Sequence, residues 1–583
     1  MLKGALITIS LVVLCTACQQ KQPAGKAAQV AEVNKATEWN AFVDTFIEGF
    51  FKAHPTFAVV NGRHEYDGQL PDWSHTGIAA EIARLHEQRD SALAFTDATL
   101  AAQQRYQRDY LIALIDRNLF WLETANWPYR NPAFYFDWLL DSLDPSAYIS
   151  LNYAPAEKRL DSLTRFLSNI PAATEQIQAN LQHPLPSTYI NYGVASFGGM
   201  AEYFANDLPQ AFVDVGDEDA QNAFSAAIVD AAAAMQTLAG YLKSGEDRAT
   251  DAYALGEELF LQMIRDSEGV DISLDELQAI GQADMRRNQQ SLRSACTKFA
   301  AGKSIKQCIA KMAANKPEGA TVAGATAQLA GLKAFLVEQD LVSIPGKEEA
   351  LVRESPPYAR SNFAYINIPG PYEKNQPSIY YISPPDKSWS AAEQAAYVPG
   401  KSDLLFTSAH EVWPGHFLNF LHAKRSDWIF GRIFVGYAYA EGWAHYTEEM
   451  MHEAGLNGGD PETEIGQLSN ALLRNARFLS AIGLHAGEMS VEESERLFRE
   501  EAFQDVGTAR QQAARGTYDP AYLNYTLGKL MILRLREDWT RERGGRDAWK
   551  EFHDKFLSYG GPEIPLVRAQ MLGGQPEAVF PER

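Results

Sequence analysis

Cysteine is scarce in this chain, four among 583 residues, and none lies near the segment where histidine concentrates. That excludes a disulfide-scaffold protein and makes a Cys-rich structural zinc site a poor fit. Basic residues are also in the minority: Lys+Arg 52 against Asp+Glu 74, a formal net charge of −22. Such a surface is repelled by nucleic-acid phosphates and anionic lipid heads, so no nucleic-acid partner is expected. The apolar run at the start, from Ala5 to Val13, is too short to span a bilayer comfortably, and no internal repeat of fixed period is visible. What remains is globular in composition, 46% hydrophobic and 22% charged, which excludes a disordered chain.

The first residues, MLKGALITISLVVLCTACQQ, place Lys3 ahead of the apolar run and small residues behind it, a secretory signal over residues 1–17. Cys15-Thr16-Ala17-Cys18 is similar to the lipobox of bacterial lipoproteins, in which the cysteine after small residues becomes the lipidated first residue, here Cys18. The alternative is an ordinary cleaved signal with an incidental cysteine. Gln19 in place of Asp implies, by the same resemblance, outer-membrane sorting in a Gram-negative cell, with the body facing the periplasm. Membrane contact is then expected only through the lipid anchor. Residues 18–36, rich in Gln, Ala and Lys, read as a flexible tether. The two cysteines of the body, Cys296 and Cys308, form an even pair in an oxidising compartment and are expected as a disulfide stapling a helical hairpin.

Leu160, Leu163, Leu167 and Ile170 recur at spacings of three and four, as do Phe224, Ile228, Ala231, Met235, Leu238 and Leu242. Both stripes mark amphipathic helices. The same texture holds over a helical part, 37–345. It changes at 355–385, where SNFAYINI and SIYYIS predict a hairpin or two strands. Helical patterning then resumes. The expectation is one mainly α domain over 37–583, with a small β-sheet beside the helix that carries the metal ligands in the part 346–583.

Of the 12 histidines, His410, His416, His422, His445 and His452 cluster in a short stretch. His410-Glu411-Val412-Trp413-Pro414-Gly415-His416 opens like a zincin motif, whose second histidine normally stands four residues after the first so that both rings share a helix face. Here that position is Pro414. A six-residue separation turns His416 roughly 240° from His410 on an ideal helix, so an unbroken helix could not aim both at one ion. Pro414 cannot donate its backbone N–H and crowds the carbonyl of His410, so Pro414-Gly415 is expected to break the helix and bring His416 back. Glu441, His445 and Glu448 share a face of a later helix and suit either a carboxylate ligand or a solvated charge stripe. Gly442-Trp443 in its middle fits an exposed stripe poorly. His422 and His445 stay open as alternatives to His416.

HEVWPGH (410–416), EGWAHYTEEM (441–450) and RGTYDPAYLNYTLGKLMILRLRE (515–537) resemble the bacterial zincin-like family catalogued as a domain of unknown function, DUF885, many of whose members are lipoproteins. Phe417 stands where such members carry a second adjacent histidine, and Asp519-Pro520-Ala521-Tyr522 replaces a Pro-Gly-Gln-Ala pattern, while Tyr525 and Gly528 keep their spacing. The resemblance implies a large helical fold like that of gluzincin metallopeptidases, a Zn²⁺ cofactor held by His410, His416 and Glu441, and a peptide substrate.

In that reading Glu411 is the general base that takes a proton from water and returns it to the leaving amine. Tyr525, on the predicted C-terminal helix, is the candidate donor to the oxyanion, or else a core tyrosine. Arg510 and Arg515 are candidates for pairing with a substrate carboxylate, with surface ion pairing the plainer role. Tyr380, on the strand at Ser378–Ser383, is a candidate peptide contact through strand-edge addition. The expected activity is a carboxypeptidase-like exopeptidase acting on short peptides. The alternative is a non-catalytic cell-envelope binding lipoprotein with a structural or absent metal.

Overall fold

The elements that position the candidate site lie in the second half of the chain, and a separate helical layer precedes them. The computed structural model describes residues 24–136, 141–356, 360, 363–385, 390–573 and 580. The signal segment and Cys18 lie outside the described residues. Helix α1, Ala24–Ala53, starts inside the stretch read as a tether. Its Ala- and Lys-rich first half lacks Gly or Pro beyond Gly25, so helix propensity carries the helix back past Thr37.

Helices α2 (Ala156–Asn180), α3 (Ser187–Asn206) and α4 (Glu218–Lys243) pack on one another around their own core. The stripes Leu160, Leu163, Leu167, Ile170 and Phe224, Ile228, Met235, Leu242 are the buried faces. Each large side chain removed from water contributes roughly 1.5–3 kcal/mol. Asp217 caps α4 by accepting the backbone N–H of Ala220. By length and composition α4 is apolar enough to cross a membrane, but much of that character is alanine plus the stripe that faces α2 and α3.

Helices α5 (Leu274–Phe299) and α6 (Ile305–Ala314) form a hairpin. Both begin with a capping box, Ser273 with Glu276 and Ser304 with Gln307, so the turn between them is bounded by satisfied backbone groups. Cys296 and Cys308 are joined across it, with Cα atoms 5.7 Å apart. Closing a loop of this length restricts the unfolded chain by an amount worth about 3 kcal/mol.

The sheet has three strands, β1 (Ala350–Glu354), β2 (Ala364–Asn367) and β3 (Ser378–Ile382), in the order β1-β3-β2. β2 and β3 pair antiparallel, Ile366 opposite Tyr380, and β1 pairs parallel to β3, Val352 opposite Tyr380. The Ile- and Tyr-rich runs announced two of these strands. β1 went unread because Ala-Leu-Val-Arg-Glu carries no turn signal and little β-branching. Its presence corrects one expectation: β3 is the central strand, paired on both sides, so no edge at Ser378–Ser383 is open to a peptide.

Beyond the sheet come α7 (Lys401–Glu411), α8 (His416–Ala423), α9 (Tyr437–Glu453), α10 (Pro461–His485), α11 (Val506–Tyr518) and α12 (Asn524–Thr540). They share the larger hydrophobic core with α1, α5 and the sheet. The architecture is mainly helical with one small sheet.

Candidate metal centre

The motif around Pro414 breaks its helix where the backbone chemistry requires. α7 ends at Glu411, Val412 leaves the helical region (φ −121°, ψ −76°), and α8 starts at His416. Gly415 donates its N–H back to the carbonyl of Ala409 at 2.9 Å, and a Cβ on Gly415 would lie 1.7 Å from the carbonyl oxygen of His410. Only glycine lets the chain double back this tightly. Trp443 Nε1 donates to the carbonyl of Pro414 at 2.9 Å, satisfying a buried acceptor in the break. The two imidazoles therefore meet, with ring centroids 4.8 Å apart.

Glu441, from α9, completes the group. Its Oε2 lies 3.2 Å from His410 Nε2 and 3.3 Å from His416 Nε2. One ligand atom from each residue falls within 4.8 Å of the others, and among the described residues this is the group of three or more metal-ligating side chains that converges so. Two imidazole nitrogens and a carboxylate oxygen match the borderline-soft donor set that zinc takes in catalytic sites, with a fourth position left open.

The surroundings orient the set. Glu448 Oε1 accepts from His410 Nδ1 at 2.8 Å, which leaves Nε2 directed at Glu441 and His416. Glu448 is fully buried, and Arg474 donates to it at 3.0 Å. Arg474 also lies 3.2 Å from His410 Nδ1; with that nitrogen donating to Glu448, both cations converge on the one carboxylate. Burial opposes charge on Glu448, yet Arg474 and His410 hold its carboxyl below the usual range. Burial likewise opposes charge on Glu441, and the facing imidazoles hold it well below that range. For His410, burial and Arg474 disfavour the proton, but the two carboxylates push it up to about 9, so an ion entering there displaces a proton.

Two groups at the site are uncommitted. The carboxylate of Glu411 is buried and has no hydrogen-bond partner among the described residues; burial pushes its carboxyl up, against the pull of His416 and His410. The Tyr525 ring lies 6.1 Å from that of His410, nearly parallel, and its hydroxyl makes no hydrogen bond among the described residues.

Tyr525 reaches this position through a glycine pair. α9 and α12 cross where a Cβ on Gly442 would lie 2.5 Å from Gly528 Cα, and one on Gly528 would lie 2.0 Å from the carbonyl oxygen of Ala438. The glycines beside Glu441 and one turn after Tyr525 thus let the two helices touch. Next to them Lys529, fully buried, sits between Asp284 (2.8 Å) and Glu449 (3.1 Å), tying α5, α9 and α12 together. Gly528→Ala should destabilise the protein by about 1–3 kcal/mol through overpacking, read as a lower thermal unfolding midpoint. A midpoint equal to wild type would mean the helices can separate without cost.

The other candidate residues fall elsewhere. Tyr380 is fully buried on the central strand, its hydroxyl 3.5 Å from Ser408 Oγ, so it is a core residue and not a strand-edge contact. Arg515 is committed to Asp519 (2.8 Å) and donates to the Tyr437 hydroxyl (3.1 Å). Arg510 is 74% exposed and stands 3.9 Å from Glu495. Phe417 packs edge-on against Trp413, at 4.9 Å, and not toward the ligand set. His422 bonds to the Ser343 carbonyl, and His445 lies behind Glu448, so neither joins the group. Sequence reasoning missed Arg474 and Arg477. The available signal was two arginines three apart in the otherwise apolar face of LLRNARFLSAIGL.

A family model described as a bacterial protein of unknown function, DUF885, matches residues 55–571. A candidate lipoprotein of unknown function from Shewanella oneidensis superposes with a TM-score of 0.74 at 24% identity, covering 92% of this chain and 99% of its own. A candidate lipoprotein from Colwellia psychrerythraea does so with a TM-score of 0.76 at 17% identity, covering 93% and 98%. At these identities the likeness is one of fold. No curated protein matches the chain.

Proposed function

The chain belongs to the DUF885 family of bacterial proteins, and from that premise we propose that it is a zinc-dependent peptidase with a gluzincin-like centre, hydrolysing short peptides as a carboxypeptidase-like exopeptidase. The observation that carries this reading is the convergence of His410, His416 and Glu441 beside a buried carboxylate, Glu411, that makes no hydrogen bond to another described residue. A structural site closes its coordination with a fourth protein ligand, and none converges here among the described residues. Zinc held by these three residues supplies Lewis acidity, polarising a scissile carbonyl and making water acidic enough to ionise near neutral pH.

The chain's own groups do the rest. Glu411 accepts the proton of the attacking water and passes it to the leaving amine; its raised affinity for a proton suits both transfers. The Tyr525 hydroxyl, without a hydrogen-bond partner among the described residues, donates to the oxygen that gains negative charge. Glu448 holds His410 in one tautomer, and Arg474 keeps Glu448 charged. The signal and lipobox at residues 1–18, together with two similar structures described as candidate lipoproteins, support an exported protein anchored through Cys18 at the outer membrane and facing the periplasm.

The test uses full-length protein extracted from membranes with detergent. Elemental analysis should give one zinc per chain, a mass-spectrometric peptide-library digest should show cleavage, and the intact mass should carry acyl chains on Cys18. Full zinc loading with no cleaved peptide rejects the peptidase in favour of an envelope binding lipoprotein, and a mature chain without acyl mass rejects the anchor.

A further inference from the structure

Three guanidinium groups surround Tyr525, and they differ in what they are paired with. Arg474 is paired with Glu448 and also donates to Asn470. Arg515 is paired with Asp519. Arg477, one turn after Arg474 on α10, has no carboxylate within ion-pair distance among the described residues. Among the described residues its one hydrogen bond runs from Nε to Gln512 Oε1, at 2.8 Å, and neither Nη group has a partner. Arg477 is only 8% exposed. An unpaired buried cation is costly, and this chain carries 22 more acidic than basic residues from which a partner could have been drawn. Burial and the neighbouring Arg515 and Arg474 all disfavour its charge.

The position of Arg477 says what it is for. Its Cζ lies 4.7 Å from the centre of the Tyr525 ring, and that ring stacks near His410. The guanidinium thus lies against the same aromatic ring that stacks near His410. Gln512 holds the guanidinium by Nε, on the edge that leaves the two Nη groups free for bidentate contact with a carboxylate. We infer that Arg477 anchors the C-terminal carboxylate of the peptide substrate. The inference rests on the peptidase reading and adds the substrate's end: the guanidinium of Arg477 disfavours a peptide's N-terminal amine there, and a blocked C-terminus leaves Arg477 unpaired.

The experiment compares N-acetyl-tetraalanine carrying a free C-terminal carboxylate with its C-terminal amide, on the zinc-loaded full chain. The free acid should be cleaved about 10–100-fold faster in kcat/KM, the range for a lost charge-assisted contact. In Arg477→Met the preference should vanish while zinc content stays at wild type, and Arg477→Lys should keep part of it. A wild type that cleaves acid and amide at equal rates overturns the inference and leaves the peptidase reading intact, as does Arg477→Met slowing both equally. An amidated peptide ending in Glu that is cleaved as fast as the free acid also overturns it, since the anchor would then read a side chain. If no peptide is cleaved at all, calorimetric binding of the same acid and amide to Glu411→Gln protein decides separately: tighter binding of the acid supports the anchor, and equal binding overturns it.

Discussion

Glu411→Gln should keep its zinc and lose peptide hydrolysis by a factor of about 10²–10⁴ or more, the usual worth of a positioned general acid–base. The substitution preserves size and hydrogen-bonding capacity, so α7 and the break after it have no reason to move. What it removes is the one carboxylate at the site that makes no hydrogen bond to another described residue. Glu441 cannot substitute, because its Oε2 lies between two imidazoles that hold it ionised. Nor can Glu448, which is behind His410 and neutralised by Arg474. Zinc stoichiometry and the cleavage rate on a pooled peptide substrate, variant beside wild type, are the two measurements. Activity within a few-fold of wild type would strip Glu411 of the base role, and loss of zinc would make it a ligand.

The second large effect belongs to the ligands. His416→Ala should lose most of its zinc, and with it the stabilisation that a bound ion confers on the folded state, about 2.7 kcal/mol when free metal exceeds its dissociation constant a hundredfold. Wild-type protein should then unfold at a lower temperature after chelation, while His416→Ala should unfold at one temperature with or without chelator. Glu448→Gln is the graded companion. It leaves the three ligands in place but weakens the acceptor for His410 Nδ1, a change that typically costs 10–100-fold in metal affinity. Unchanged zinc in His416→Ala would require another ligand, yet His422 is held at Ser343 and His445 lies behind Glu448. Equal affinity in Glu448→Gln would mean that His410 needs no help to present Nε2.

The parts of the site that could be read in advance are local. His410, Pro414, Gly415 and His416 lie within seven residues, and the conflict between a six-residue spacing and a proline is settled by backbone sterics alone. The stripes in 160–170 and 224–242 are equally local, because a helix places residues three and four apart on one face whatever it later packs against. The same rule put Glu441 and Glu448 on one face, but it could not say that the first would meet His416 and the second would stand behind His410.

Misread residues share the opposite property. Tyr380 looked like a peptide contact because its segment is β-prone, and only the parallel pairing of β1, on the far side of β3, makes that strand central. Arg515 was open between a substrate carboxylate and an ion pair, and Asp519 gives it the ion pair, while Arg477 was not singled out. Whether an arginine is spent on an ion pair or left for a ligand depends on which carboxylates other helices bring within reach, and those come from anywhere in the chain.

The sequence by itself determined the helical periodicity and the break that turns His416 toward His410, since each follows from backbone geometry over a few residues. The tertiary structure alone decided which of the clustered histidines converge, which strand is buried, how Gly442 and Gly528 bring α9 against α12, and which of three arginines has no carboxylate among the described residues. Those outcomes depend on contacts between segments tens to hundreds of residues apart, where burial and charge pairing are set by packing and not by spacing along the chain.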